Sequence, residues 1–347
     1  LGKKKVFIGV TNVAGVSSRL KKGFDEIGIE SDFYSFDKHV FGYKTDKIIE
    51  YSDNSFVRKF QKIILLAKLL WKYKYFIYVQ PASLFPRFND VKLFRLFGKK
   101  TMLIFTGCDV RIPDVVKKYK WNTCTDCTKE YQDFVGCRVP EKLEITLEAE
   151  RLFDLISCPM EAGGNLTKPF YPGYFPVDLQ RFPKEKFANY QYHDPIRILH
   201  APTNETYKGS KHIYSAIEKL KEKHPGKFIF EVVRNQSIDE FYNSVGNSDI
   251  VIDQMLLGSF GFVSIEAMAM YKPVITYMRD DIWDKVKADC PIINANPDNL
   301  FEVLENIIQN PAQLTGISSK SREYVEKFWE EKKVAQDYYS LFENISE

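Results

Sequence analysis

Two stretches of the sequence combine residue types suited to holding a phosphorylated ligand. The first, Asp249 to Tyr277 (DIVIDQMLLGSFGFVSIEAMAMYKPVITY), reads as a strand, a loop with Gly258 and Gly261, a helix from about Val263, and a second strand at 273–277. Glycines ahead of a helix let the backbone approach a ligand closely. The helix N-terminus offers N–H groups and the positive end of its dipole to an anion. A diphosphate suits that place, and Glu266, on the first turn, can accept hydrogen bonds from two neighbouring ribose hydroxyls. The same pattern also describes an ordinary strand–loop–helix unit whose first-turn Glu is stabilised by the dipole. The second stretch, HAPTNETYKG from His200 to Gly209, follows the strand RILH and leads into a helix. Lys208 enters that helix beside a glycine, where an ammonium can meet phosphate oxygens as a point charge; the alternative is a solvated lysine. Asp253 reads either as a strand-end residue with local hydrogen bonds or, with Gln254, as a sugar contact. His200 reads as a buried, hydrogen-bonded histidine or as a phosphate contact. None of the five histidines forms a convincing acid–base pair.

A second candidate region lies in the first half. The strand at 101–106 ends in Gly107-Cys108-Asp109-Val110-Arg111. Strand ends in open parallel sheets face the ligand crevice, which puts Asp109 near a reacting hydroxyl or sugar; the alternative is an Asp109–Arg111 pair fixing the loop. The loop Val13-Ala14-Gly15-Val16-Ser17 precedes the first helix, and its small residues permit close approach of a ligand. Five of six cysteines lie between Cys108 and Cys158. Cys124, Cys127 and Cys137 are candidate ligands of a structural zinc; the alternative is buried thiols beneath a loop.

These residues need two frameworks. A chain of 347 residues exceeds one ordinary core and predicts two domains. Apolar strands at 5–10, 32–35, 75–80 and 101–106 alternate with helical segments, and the pattern returns with strands at 197–200, 228–233, 249–253 and 273–277. Helices are expected at 18–27, 211–223, 238–246 and 264–270. Strand alternating with helix predicts doubly wound parallel sheets, with residues 169–195 as a linker. Residues 319–344 read as one or two helices whose aromatics need a surface. The net charge of +3 argues against a nucleic-acid protein. With no signal-peptide pattern and no spanning segment, a cytoplasmic protein is expected. Residues 56–74 form an amphipathic helix with Phe56, Phe60, Ile63, Ile64, Ala67 and Trp71 on one face and lysines on the other. With the basic, aromatic stretch 85–100, it suits an anionic membrane surface or a core helix with a solvated lysine face.

The segments APTNETYKGS and DQMLLGSFGFVSIEAMAMYKPVI resemble the retaining GT-B glycosyltransferases that include bacterial polysaccharide, glycolipid and mannosyl transferases. The linker YFPVDLQRF, with Asp178 and Phe182, and the tail SREYVEKFWEEKKVAQDYYSLFENI are similar to the same family, so the resemblance covers about half the chain, from Tyr171 onward. It implies two Rossmann-like domains facing across a cleft, residues 1–178 on the acceptor side and 179–326 on the donor side, with 327–347 crossing back to the first. It implies transfer of a hexose-type sugar from a UDP- or GDP-sugar to a glycan or lipid-linked acceptor, with retention and no metal needed for catalysis. Lys208 would bind the donor diphosphate, Glu266 the ribose, and the backbone of Ser259, Phe260, Gly261, Phe262, Val263 and Ser264 the distal phosphate and sugar. Thr203 and Asn204 would line the same pocket; apart from the resemblance, position in the sequence adds Gly209, Gln254 and Gly15 as donor-side candidates. Asp109 would serve catalysis, with Val16 and Arg111 beside it toward the acceptor. The family's paired glutamates are incomplete, because the first falls on Gly258, and its usual arginine falls on Thr203. These departures keep two rivals open: a non-catalytic nucleotide-sugar-binding or scaffold subunit, and a nucleotide-sugar epimerase of the same architecture.

Overall fold

The computed structural model describes residues 5–36 and 45–346. The chain divides into two compact units, one of residues 1–112, 135–176 and 331–347, the other of residues 113–134 and 177–330. This division differs from the expected boundaries chiefly at 113–134, which pack with the second unit, and at the tail, which passes to the first unit after residue 330.

The sheet of the first unit has the order β3-β2-β1-β4-β5-β6-β7, built from β1 (Val6–Val10), β2 (Ser31–Ser35), β3 (Lys47–Ile48), β4 (Tyr75–Val79), β5 (Lys100–Ile104), β6 (Leu155–Cys158) and β7 (Tyr171–Pro172). Every pairing is parallel. β1 and β4 are buried along their whole length, which is why they read as unbroken apolar runs. Successive strand residues point to opposite faces. Tyr75 stacks on Phe342 of the C-terminal helix Glu331–Asn344 with ring centroids 4.7 Å apart, while Phe76 stacks on Phe94 at 4.0 Å. The C-terminal helix also lies against α1 (Val16–Glu26), where a Cβ at Gly23 would come within 2.2 Å of the Glu331 carbonyl. Glycine is what allows that approach.

The opposite face carries α2 (Ser55–Lys72), α3 (Asn89–Leu96) and α4 (Val139–Leu152). They send Leu65, Leu69, Val91, Phe94 and Ala149 into one apolar cluster with Phe7 and Phe76. The anchoring face of α2 is therefore Leu65 and Leu69, residues the sequence places among its lysines. The stripe Phe56, Phe60, Ile63, Ile64 and Trp71 is exposed, so the core-helix alternative for that stripe fails.

The sheet of the second unit is also parallel, in the order β12-β11-β10-β8-β9. Its strands are β8 (Ile196–His200), β9 (Phe228–Val232), β10 (Ile250–Ile252), β11 (Val274–Thr276) and β12 (Ile293–Asn294). Around it lie α5 (Ser210–Lys223), α6 (Ile238–Asn247), α7 (Phe262–Ala269), α8 (Leu300–Gln309) and α9 (Gln313–Phe328). Ser237 and Glu240 close a capping box at the start of α6, satisfying two otherwise orphaned amides. Each unit is thus an open, parallel α/β sheet, as the alternating pattern predicts.

Candidate functional site

The second unit gathers its polar residues where β8 and β10 end. Asn204 caps the one-turn helix Glu205–Lys208, its Oδ1 accepting the Tyr207 amide at 2.8 Å. Gly209 follows with φ +71°, and a Cβ there would press to 2.7 Å from Leu256 Cγ. This left-handed turn, available to glycine at little cost, brings Lys208 inward. The Met255 amide bonds the Lys208 carbonyl at 2.9 Å, tying the two loops together. Replacing the cap, Asn204→Ala, is expected to cost about 1 kcal/mol of stability, read as a lower urea midpoint with an unchanged slope.

Lys208 is buried and its ammonium pairs with Asp253, the first residue beyond β10, which is also buried. The other Asp253 oxygen accepts the Gly261 amide at 3.1 Å, the Ser264 amide at 3.2 Å and the Ser264 hydroxyl at 2.5 Å. Burial opposes ionisation of Asp253, but the Lys208 charge and the Ser264 donors outweigh it and hold the carboxyl below its usual range. Gly261 is required by contact: a Cβ would fall 2.3 Å from Asp253 Oδ2 and 2.9 Å from Lys208 Nζ. One carboxylate therefore joins the lysine to the N-terminus of α7. The Gly261 and Ser264 amides, expected to face a phosphate, are bonded to it.

Gln254 is fully buried and holds the loop shape. Its Nε2 lies 2.7–2.9 Å from Ser259 O, Thr276 Oγ1 and Tyr277 O, and its Oε1 accepts the Leu256 and Leu257 amides. Gln254, expected in the donor pocket, is here a structural clamp of the loop. Gly258 has φ +82°, so a glutamate at that position would strain the backbone. Phe260 packs its ring near Tyr324 and Trp329. Within α7, Phe262 is half-buried and Val263 buried. Glu266 is buried and accepts a hydrogen bond from the Tyr242 hydroxyl at 3.0 Å. Thr203 is exposed. His200 is enclosed, with Nδ1 at 2.8 Å from Ile252 O and Nε2 at 2.7 Å from Ser210 Oγ. Burial pushes its pKa down to about 4, so it is neutral near pH 7 and fully engaged, not a phosphate contact.

Three features of this unit escape sequence reading. Tyr242 comes from α6 to meet Glu266. Arg279 chelates Asp281, and its guanidinium lies 3.9 Å from the Tyr119 ring centroid. Segment 113–134 lies beside the Lys208 turn: Thr123 Oγ1 donates to Tyr207 O at 3.1 Å, and Lys211 pairs with Asp126. No local pattern signals the pairing of Tyr242 with Glu266, of Arg279 with Tyr119 or of Thr123 with Tyr207.

The remaining candidates lie in the first unit. Gly15, φ +78°, precedes α1, and Val16 is wholly buried, so the Val16 side chain belongs to the core and not to a ligand surface. Asp109 turns back on its own loop, accepting the Thr106 amide at 2.9–3.0 Å, the Gly107 amide at 2.7 Å and the Thr106 hydroxyl at 3.2 Å. Desolvation raises its pKa against those hydrogen bonds. It also lines a cavity of about 240 Å³ with Gln80, Arg138, Glu141 and Lys142. Arg111, expected beside Asp109 toward the acceptor, is buried and its guanidinium is bonded to Glu161 at 2.8 Å. For zinc, Cys137 Sγ lies 3.1 Å from the Lys142 ammonium. Among the described residues no group of three His, Cys, Asp or Glu side chains is placed to share a metal, so the geometry does not carry the zinc reading.

No protein-family profile and no curated protein matches the chain in sequence. Solved structures do match its fold. The sucrose-phosphate synthase of Thermosynechococcus elongatus is 13% identical, with a TM-score of 0.63 over 99% of both chains. The HepE protein of Anabaena in complex with UDP is 11% identical, with a TM-score of 0.62 over 98% of this chain and 100% of the other. An alpha-glucosyltransferase in complex with UDP and a 13-mer DNA is 11% identical, with a TM-score of 0.61 over 97% of this chain and 99% of the other. Two parallel-sheet units together with these likenesses give the chain the GT-B glycosyltransferase fold.

Proposed function

We propose that this chain is a glycosyltransferase that moves a hexose-type sugar, with retention, from a UDP- or GDP-sugar to a glycan or lipid-linked acceptor. The observation that carries the reading is the buried Lys208 at the N-terminus of α7, with Glu266 one turn along. An ammonium has three N–H donors. Asp253 takes one, and the others suit the oxygens of a diphosphate, whose leaving charge the lysine stabilises during transfer. Glu266 holds the ribose, and Thr203, Asn204 and Gly209 border the same place. Since Asp253 uses the Gly261 and Ser264 amides, Lys208 carries more of the phosphate contact than the family resemblance implies. In this reading the second unit binds the donor and the first, through Asp109, the acceptor. The fold relatives bound to UDP favour a uridine donor. One of them also holds DNA; here the net charge of only +3 favours a carbohydrate acceptor over a polyanion.

The test is thermal stabilisation by a panel of nucleoside diphosphates and their sugars. A ligand at a hundred times its Kd stabilises by about 2.7 kcal/mol, which predicts a selective Tm rise of several degrees with one nucleotide family. No rise with any of them overturns the donor site. Gly258, standing where the family's first glutamate falls, favours a second reading as a non-catalytic nucleotide-sugar-binding subunit. Tight donor binding with no transfer and no slow donor hydrolysis would select it.

A further inference from the structure

We infer that the outer face of α2, with the end of α3, is a seat for an anionic lipid bilayer. A surface helix normally turns its apolar stripe inward. α2 instead carries a second one, pointing away from its Leu65 and Leu69 anchor. Ile63 and Ile64 are each 62% exposed, Phe56 71% and Trp71 92%. The end of α3 adds Leu96 at 83% and Phe97 at 62%. α2 and α3 send their inner residues into the same core cluster, so these outward residues belong to one layer on one side of the sheet. Scattered apolar residues on a surface need no explanation, but a contiguous stripe does.

Charge identifies the occupant. Residues 55–100 carry eleven lysines and arginines and one acid, Asp90. That acid is buried and bonded to the Tyr78 hydroxyl at 2.6 Å; Asp32 and Glu148 from neighbouring elements offset Lys72 and Lys92, and the segment still keeps a positive excess. On α2 the exposed Lys59 and Lys68 flank the apolar stripe. Long basic side chains beside an apolar centre lay their stems on hydrocarbon and their charges among anionic headgroups. A second copy of the chain would set two basic rims against each other. Among the described residues no helix is long and apolar enough to cross a membrane, so contact through this face lies in the interface plane.

The experiment is co-sedimentation of the full chain with phosphatidylcholine vesicles, with and without phosphatidylglycerol. Binding is expected only to the anionic vesicles and is expected to weaken with salt. Lys59→Gln with Lys68→Gln should weaken it roughly twenty-five-fold, about fivefold for each charge. Ile63→Ser, Ile64→Ser and Trp71→Ser together should abolish it. These side chains are exposed, so both variants should keep the wild-type melting curve and the nucleotide-dependent Tm rise. That rise separates failure of the membrane seat from failure of the donor reading. Absent vesicle binding, binding to neutral vesicles alone, or a dimer in equilibrium sedimentation that the serine variant dissociates would each overturn the inference.

Discussion

Lys208→Ala is expected to lose donor binding and also about 3–5 kcal/mol of folding stability, the cost of leaving one partner of a buried ion pair alone. Asp253 would stay buried with the Gly261 and Ser264 donors but without its counter-charge. The two losses must be separated, since an unfolded variant binds nothing. Lys208→Met combined with Asp253→Asn removes both charges while the Asn carbonyl still accepts from the α7 N-terminus. This double variant should recover most of the stability in urea unfolding and still fail to bind the nucleotide chosen by the thermal panel. Wild-type affinity in the double variant, measured by calorimetry, would show that Lys208 only balances Asp253 and would sink the diphosphate assignment.

The pair also shows where sequence reading stops. Lys208 and Gly261 stand out locally, as a basic residue beside a glycine and as a glycine ahead of a helix. Their junction through Asp253 does not, because it joins residues 45 positions apart and depends on how β8 and β10 align. Arg111 and Glu161, separated by 50 positions, are invisible for the same reason. Arg111 reads as a ligand contact because a strand end is a good site, yet a buried partner claims it. The long parallel strands are legible because burial on both faces leaves an unbroken apolar run. The two-residue strands β3, β7 and β12 are too short to show any period. α2 fails differently. It is apolar on two sides, and only the sheet beneath it decides that Leu65 and Leu69 face inward. Segment 113–134 follows a strand of the first unit directly, so chain order assigns it there, whereas Thr123 and Asp126 bond to the second.

Glu266→Ala is expected to weaken nucleotide binding roughly ten- to a hundredfold, as for the loss of hydrogen bonds to a charged acceptor worth about 1.5–3 kcal/mol. The assignment is sharper than that number. If Glu266 receives the ribose hydroxyls, wild type should discriminate strongly against the 2′-deoxy and 3′-deoxy nucleotides, because either leaves the carboxylate short of a donor. The Ala variant should bind all of them equally weakly. Tyr242, bonded to Glu266 at 3.0 Å, orients the carboxylate, so Tyr242→Phe should weaken the ribonucleotide less than Glu266→Ala does. It should also keep part of the discrimination. A purely structural Glu266 would lower stability in the Ala variant but leave the preference for ribose over deoxyribose intact. That preference, measured across the variants, therefore distinguishes a ribose contact from a packing residue even if every variant melts lower than wild type.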